Sequence, residues 1–443
     1  MEGLATDKLR TDKHPLPEGT YAVGAGLLVA GFTILAFLVI SGRMLGPDRY
    51  ASLSTLWLSV FVAAPGFFLP VEQELARALS ERQARGLGGG PLVRRAAMLG
   101  VALLVLLLVA SAAGFVLIRD ELFHGDNLLV ISFIGSLVGY FCAHLVRGTL
   151  SGNKRFTAYG LLFGVEGVGR LVGCLVLAAI GVKTVGAYGL LVAAAPFLAT
   201  VIAISRERGL ITPGPDAPWS ELSTNMGFLL AGSVLTQMLV NAAPLTVAVL
   251  ADKSDNELVG HFMAGVLVAR VPLFMFQAVQ AALLPKLAGL AGAGQHDDFR
   301  AGLKRLLVAV AAIGGAGTVG ALVMGPWALR TVFGPEFDLG RSDLGYLAAG
   351  SAAFMMTVAL GQSLIALGRH AYSVVGWLAG ITAYGVVVAL GSDLLVRAEQ
   401  GYLVGAFTAA AVMSVLTVAQ LRRGMPADAD VLVALRTADL IEP

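Results

Sequence analysis

The feature that most restricts this chain is the recurrence of apolar runs about 20 residues long, the length of helix that crosses a bilayer. Twelve such runs lie near 21–42, 51–70, 96–118, 128–147, 159–180, 187–204, 225–250, 259–283, 305–329, 344–367, 373–392 and 401–420. In hydrocarbon every backbone N–H and C=O must be satisfied within the chain, which only helices and closed barrels achieve. Period-two alternation is absent, which excludes a barrel. The expected fold class is an all-α polytopic membrane protein with about 12 transmembrane helices. Composition agrees: 57% of the 443 residues are hydrophobic and only 14% charged, with a mean hydropathy of +0.79, against about 25% charged in soluble domains.

The placement of charge carries more than its sum. A net charge of +2 points to no nucleic-acid partner. With the amino terminus inside, the inside segments hold 21 of the 31 Lys and Arg and the outside loops hold 8. Positive residues favour the cytoplasmic side, so both termini are expected in the cytoplasm. The first 20 residues are polar, and no small-residue cleavage signal follows Arg43, so the first span is expected to be uncleaved. Cys142 and Cys174 both fall in apolar runs and read as small buried side chains rather than a disulfide or metal site.

The chain also repeats itself. A shift of 207 positions brings Asp48 onto Asp255, Pro65 onto Pro272, Phe67 onto Phe274 and Gln73 onto Gln280. Two six-span units of the same orientation are expected, a common transporter plan. The expected organisation is a cytoplasmic tail 1–20, a six-helix lobe 21–205, a cytoplasmic linker 206–224 containing Pro213, Pro215 and Pro218, a second lobe 225–420 and a cytoplasmic tail 421–443. The segment 71–95 reads as an amphipathic connection with a glycine-rich stretch at Gly86–Gly90, and the tail as a short surface helix around Val431–Leu440.

Charges inside apolar runs are the functional candidates. An ionised side chain at the bilayer centre costs about 2.5–3.5 kcal/mol on insertion scales. Glu166, Arg170 and Arg270 fall well inside spans, the two arginines about 11 residues deep and so near the midplane. Glu166 precedes Arg170 by four, which stacks them on one helix face. They form either a structural ion pair or part of a cavity wall that Glu166 tunes. Arg270 has no acid at helical spacing and is the sharper candidate for an anionic ligand; its bland alternative is a snorkelling side chain or a partner on another helix. Gln237 and Asn241 share a face of span seven, Gln277 and Gln280 lie in span eight, Gln73 aligns with Gln280, and Gln362 lies in span ten. These amides suit sugar hydroxyls, yet each alone reads more readily as helix glue. His261 reads as interfacial. Gly160, Gly164, Gly169 and Gly173 permit close helix contact, and Pro65, Pro244 and Pro272 should bend their helices. No nucleotide-binding loop, metal-ligand cluster or soluble catalytic motif is present in the sequence. No cofactor is expected beyond an unidentified coupling ion, H+ or Na+, for which Glu166 and, near the inner end of span two, Glu72 are candidates.

Several segments resemble a known family. "GRMLGPDRY" (Gly42–Tyr50) is similar to the R-x-L-G-P-x-x-[FY] turn of polysaccharide exporters, and "RGTLSGNKRFTAYG" (Arg147–Gly160), followed by Glu166 and Arg170 as E-x-x-x-R, to their fourth-to-fifth connection. "VPLFMFQAVQAALLPKLA" (Val271–Ala288), "VFGPEF" (Val332–Phe337) and "QSLIALGRH" (Gln362–His370) resemble their eighth span, the loop after span nine and the end of span ten. The family is the oligosaccharide-lipid flippase branch of the multidrug/oligosaccharidyl-lipid/polysaccharide (MOP) exporter superfamily, and the resemblance covers about residues 20 to 420. Twelve spans rather than fourteen favour it over the lipid II flippases. It implies two lobes around a central cavity that alternates between inward- and outward-open states, with a polyprenyl-(pyro)phosphate-linked oligosaccharide as substrate. It implies a head-group role for Arg170, Arg270 and Arg43, membrane lipids around the chain, and glycosyltransferases or a polymerase as pathway partners. The rivals are a drug or cation antiporter of the same superfamily, which would want an unpaired acid at mid-depth; a membrane polymerase or ligase, which would want a larger external loop; and a non-transporting scaffold.

Overall fold

A computed structural model describes residues 20–222, 226–273, 276, 287, 289–291 and 294–423. Gln277, Gln280 and the surface helix expected around Val431–Leu440 lie outside the described residues. Every transmembrane-length element among the described residues is a helix: α1 (Thr20–Ala84), α2 (Gly90–Ala113), α3 (Asn127–Gly152), α4 (Phe156–Ala179), α5 (Val185–Ser205), α6 (Met226–Leu250), α7 (Asn256–Ala269), α8 (His296–Phe333), α9 (Arg341–Ala366), α10 (His370–Leu390) and α11 (Leu394–Arg423). Ten of these described helices are long and apolar enough to cross a membrane. α1 holds the first two expected spans, and the eighth is represented by α7.

The first turn differs from expectation. Instead of a loop between two helices, α1 runs 65 residues with a single non-helical residue, Gly46, at φ 74° and ψ 168°. Only glycine adopts this conformation cheaply, and Pro47 after it disfavours a helical residue at that place. One residue therefore redirects the chain without spending a loop. At α3 the start is set differently: the Asp126 side chain accepts from the Leu128 N–H at 2.8 Å, a helix N-cap.

Large apolar side chains cover the outer faces. Val105 and Val109 of α2, Val176 of α4, Val319 and Val323 of α8, and Phe407 and Val415 of α11 are all more than half exposed. In water a surface of this kind would drive association; against lipid tails it is the expected boundary.

Inside, the helices gather into two bundles. One core draws its buried residues from Phe37 through Leu222, the other from Leu239 through Met413 together with Tyr50, Ala51 and Leu58 of α1. α1 thus serves both. The bundles are closed together on the face away from the 206–222 linker. There Arg43 Nε donates to the Val332 carbonyl at 2.7 Å and Nη2 to that of Thr331 at 2.5 Å. Tyr50 packs on Phe333 and Phe337, with ring centroids 5.7 and 5.8 Å away. A Cβ on Gly260 would fall 2.0 Å from the Pro47 carbonyl oxygen, so the two bundles touch backbone to backbone.

The linker is bound to the first bundle. Gly90 N–H donates to the Thr212 carbonyl at 2.8 Å, Arg82 Nη2 to that of Pro215 at 2.7 Å, and Arg77 Nη2 to that of Glu221 at 3.0 Å.

Candidate functional site

The buried polar residues form two separate sets, one in each bundle. The first lies where α1, α3 and α4 meet. Tyr159, Phe163, Glu166 and Arg170 follow one another along α4 at intervals of four, three and four, which places them on one face. Tyr140, His144 and Arg147 do the same along α3. α1 and α4 cross closely enough to seal this region: a Cβ on Gly26 would fall 2.2 Å from the Gly160 carbonyl oxygen, and one on Gly167 would fall 2.1 Å from Thr33 Oγ1. Gly160 and Gly173 are close-contact glycines as expected, whereas Gly164 faces open space.

Glu166 is 7% exposed and is held from three sides. Its Oε1 accepts from Arg170 Nη2 at 2.7 Å and from Tyr140 Oη at 2.8 Å, and its Oε2 accepts from Arg147 Nη2 at 2.5 Å. Arg170, 2% exposed, also donates to Tyr140 Oη at 3.0 Å and lies over the Trp57 ring at 5.0 Å; Arg147 lies over Phe163 at 4.1 Å. One turn beyond, buried Glu72 of α1 bonds His144 Nδ1 at 2.6 Å and accepts from Tyr159 Oη at 3.1 Å. From Tyr159 to Arg170 this ladder runs about 16 Å along the helix axis. Its two arginines balance its two carboxylates when His144 is neutral.

The sequence shows the Glu166–Arg170 pair but assigns Arg147 to the end of span four. α3 instead continues to Gly152, and Arg147 is 6% exposed. The i, i+4, i+7 recurrence of Tyr140, His144 and Arg147 is the signal that marks it.

The second set surrounds Arg270. α7 ends at Ala269, and the Arg270 N–H closes the helix onto the Val266 carbonyl at 3.1 Å. A cation at a helix C-terminus meets the negative end of the helix dipole. Arg270 is partly buried, with its Nε sealed and without a hydrogen-bond partner among the described residues. Nη1 donates to Asn241 Oδ1 at 3.1 Å, and Nη2 donates to the Val240 carbonyl. That carbonyl is available because Pro244, four residues later inside α6, has no N–H to offer it. The same device recurs on α1. Pro65 leaves the Phe61 carbonyl without its helical donor, and Gln237 Nε2 donates to it at 3.1 Å. The membrane prolines do more than bend helices: they hand free acceptors to polar side chains of a neighbouring helix.

The other candidates are spread out. Gln237 therefore bonds across the bundle boundary, and Asn241 is buried with its Nδ2 on the Gln237 carbonyl at 3.1 Å. Gln73 and Gln362 are exposed. Arg43 is exposed and occupied with Thr331 and Val332. His261 Nε2 meets the Glu336 carbonyl at 2.9 Å. Arg170 and Arg270 share no hydrogen-bond partner among the described residues.

Two buried acids are absent from the sequence candidates: Glu74, which pairs with Arg77 at 3.0 Å, and Glu399. α11 starts at Leu394, well before the span expected at 401–420, and so takes Glu399 into the helix. Glu399 is 0% exposed, and neither carboxylate oxygen has a hydrogen-bond partner among the described residues. Tyr402, one turn along, lies within electrostatic reach of Arg270. Among the described residues no group of three or more His, Cys, Asp and Glu is placed to hold a metal ion.

No protein-family model matches the sequence. The uncharacterized protein Rv1510 of Mycobacterium tuberculosis (strain ATCC 25618 / H37Rv) is 26% identical over 378 residues, which cover 82% of this chain and 84% of that protein. The uncharacterized protein Mb3654 of Mycobacterium bovis is 28% identical over 372 residues, covering 80% of this chain and 82% of that protein. Among solved structures, the inward-facing conformation of a multidrug resistance MATE family transporter of the MOP superfamily aligns over 92% of this chain and 99% of that one, at 14% identity and a TM-score of 0.69. The outward-facing conformation of a MATE family transporter of the same superfamily covers 91% of this chain and 94% of that one, at 16% identity and a TM-score of 0.62. At such identity the likeness is one of fold: the helices follow the path of MATE transporters.

Proposed function

We propose that this chain is a membrane flippase or exporter that moves a polyprenyl-(pyro)phosphate-linked oligosaccharide from the inner to the outer leaflet by alternating access, without ATP. The observation that carries the reading is Arg270, a partly exposed arginine within a membrane-depth helix pair whose acceptors, Asn241 and Val240, are both neutral. A guanidinium with spare donors binds a phosphate bidentately. The sugar hydroxyls would each cost a few kcal/mol in hydrocarbon, so a polar path is needed, and Asn241 beside Arg270 supplies an amide on it. An inside-negative potential favours outward movement of an anion by about 2.3 kcal/mol per charge per 100 mV.

In this reading 21–205 and 225–420 are the moving lobes, 206–224 is the cytoplasmic linker, and both termini are cytoplasmic. The closed face at Arg43 and Tyr50 makes the described state one with access from the linker side. Arg170 acts from behind, fixing Glu166. Glu72, hydrogen-bonded to His144, is the carboxylate at which a coupling ion acts in this reading. Glycosyltransferases or a polymerase of the same pathway deliver and receive the substrate.

The test is a sealed-vesicle assay with a fluorescent polyprenyl-pyrophosphate oligosaccharide. Wild-type protein is expected to expose the label to the outer face, and Arg270→Ala to lose this while retaining its melting temperature. Wild-type flipping by Arg270→Ala removes that residue from the mechanism.

A drug or cation antiporter is the second reading, and buried Glu399 is the observation that favours it, because an unpartnered acid is what a cationic substrate requires. Efflux of a cationic dye by the wild type, lost in Glu399→Gln and retained in Arg270→Ala, selects it instead.

A further inference from the structure

We propose that the linker-side starts of α2 and α8 are paired binding sites for an anionic membrane phospholipid. This rests on the membrane-spanning fold and is independent of which substrate is transported. Each helix carries adjacent cations on its linker side, Arg94–Arg95 in the second turn of α2 and Lys304–Arg305 in the third turn of α8, at the start of its apolar run. On each, exposed apolar residues follow the first cation at intervals of four and seven: Met98 and Val101 on α2, Val308 and Ala311 on α8. These intervals hold one helix face. The cation therefore stands at head-group level, and the apolar residues continue beneath it about 6 and 10 Å deeper, where acyl chains lie.

Both places are hollow. A cavity of about 690 Å³ is lined by Arg94, Arg95, Met98 and the linker residues Ile211 and Thr212. A second, of about 340 Å³, is lined by Arg300, Lys304, Val308, Ala311 and Leu421.

Charge identifies the occupant. In the first cavity Asp216 takes Arg95 at 3.0 Å, and Arg95 also lies 5.2 Å over the half-exposed ring of Trp219. Arg94 has no acceptor among the described residues and remains available. In the second, Arg300 donates to the Leu421 carbonyl and reaches Asp297 at 3.6 Å, while Lys304 has no acceptor among the described residues. Among the described residues no acidic residue lines this second cavity. Each cavity thus has one uncommitted cation in its lining, Arg94 or Lys304, above an exposed apolar stripe; Arg305, beside Lys304 and outside the lining, also has no acceptor among the described residues. A ligand with one anionic phosphate and hydrocarbon chains complements both parts; a free phosphate complements only the first. Two bundles with different local sequences repeat the arrangement, so the pattern is not an accident of one helix.

The test uses the purified full chain, delipidated and then given equal amounts of phosphatidylglycerol and phosphatidylcholine, with retained lipids counted by native mass spectrometry. Wild type is expected to retain two phosphatidylglycerols in preference to phosphatidylcholine. Arg94→Ala and Lys304→Ala should each weaken retention of one by about five-fold, the contribution of one surface cation toward an anionic lipid, and the double variant should lose the preference. Arg94→Lys should keep it. Both residues are exposed, so unchanged melting is expected and is measured alongside. Equal retention of the two lipids by wild type, or an undiminished preference in the double variant, overturns the proposal. So does displacement of phosphatidylglycerol by millimolar inorganic phosphate alone, which would mark plain anion sites. Resistance to it supports a lipid held by its chains as well.

Discussion

The two bundles treat buried charge in opposite ways. In the first, Glu166 receives Arg147, Arg170 and Tyr140 at 2.5–2.8 Å, and Glu72 receives His144 and Tyr159. In the second, Arg270 has only neutral acceptors and Glu399 has none among the described residues. A network of paired charges holds one geometry, since any departure leaves a charge uncompensated in low dielectric, although Arg147 Nε and Arg170 Nε, like Arg270 Nε, have no hydrogen-bond partner among the described residues. An unsaturated group keeps capacity for something that arrives. The first bundle reads as the rigid partner and the second as the one that receives.

The largest effect that would break this contrast is at Glu166. Glu166→Ala leaves Arg147 and Arg170 buried without a counter-charge, and breaking a buried pair in this way costs about 3–5 kcal/mol. Scanning fluorimetry in detergent should show a large fall in melting temperature. Glu166→Gln combined with Arg170→Gln should recover only part of it, because Arg147 stays stranded; full recovery would show that Arg147 is not a member of the network.

Glu399→Leu should move stability the other way. Replacing buried ionic groups by apolar ones is often neutral or stabilising by about 1–4 kcal/mol, and here no hydrogen bond is lost. A melting temperature that falls as far as in Glu166→Ala would erase the distinction between the bundles.

A smaller effect is expected from Pro244→Ala. The new N–H can bond the Val240 carbonyl within α6 and compete with Arg270 for it. Flipping should change about three-fold, the scale of one net hydrogen bond, with the fold retained. The same rate as wild type would show that the freed carbonyl does not position Arg270.

The smallest concerns the linker. The hydrogen bond from Arg95 holds the Asp216 carboxyl below the ordinary aspartate value. A depressed carboxyl stabilises the docked linker at all pH above its ordinary value, and that contribution is lost as pH falls through the folded value. Protection factors across 211–217, the exchange rates divided into the intrinsic rates at each pH, should fall on acidification in the wild type, and Asp216→Asn should remove that part of the pH dependence. An identical profile in the variant would detach Asp216 from linker docking.

Much of the molecule was legible before any coordinates. Apolar runs of membrane length set the all-helical class, and the four-residue spacing of Glu166 and Arg170 set their contact, because both depend only on intervals along one chain. Span ends were less legible. Arg147 reads as the end of span four and Glu399 as part of a connection because helix termini are marked weakly when apolar runs taper; the helices extend to Gly152 and back to Leu394, about one and a half and two turns beyond their runs. The role of the prolines was also hidden: their bends could be anticipated, but not which side chain would take the carbonyl each one frees.

The sequence by itself determined that this chain crosses a membrane many times, and that a few charges had to be accommodated at depth, since hydropathy and helical spacing are properties of the chain taken in order. Only the tertiary structure decided which charges were neutralised. That depends on how each helix is rotated and how closely it crosses its neighbours, as at Gly26 and Gly160, and those quantities arise from packing between segments far apart in the chain.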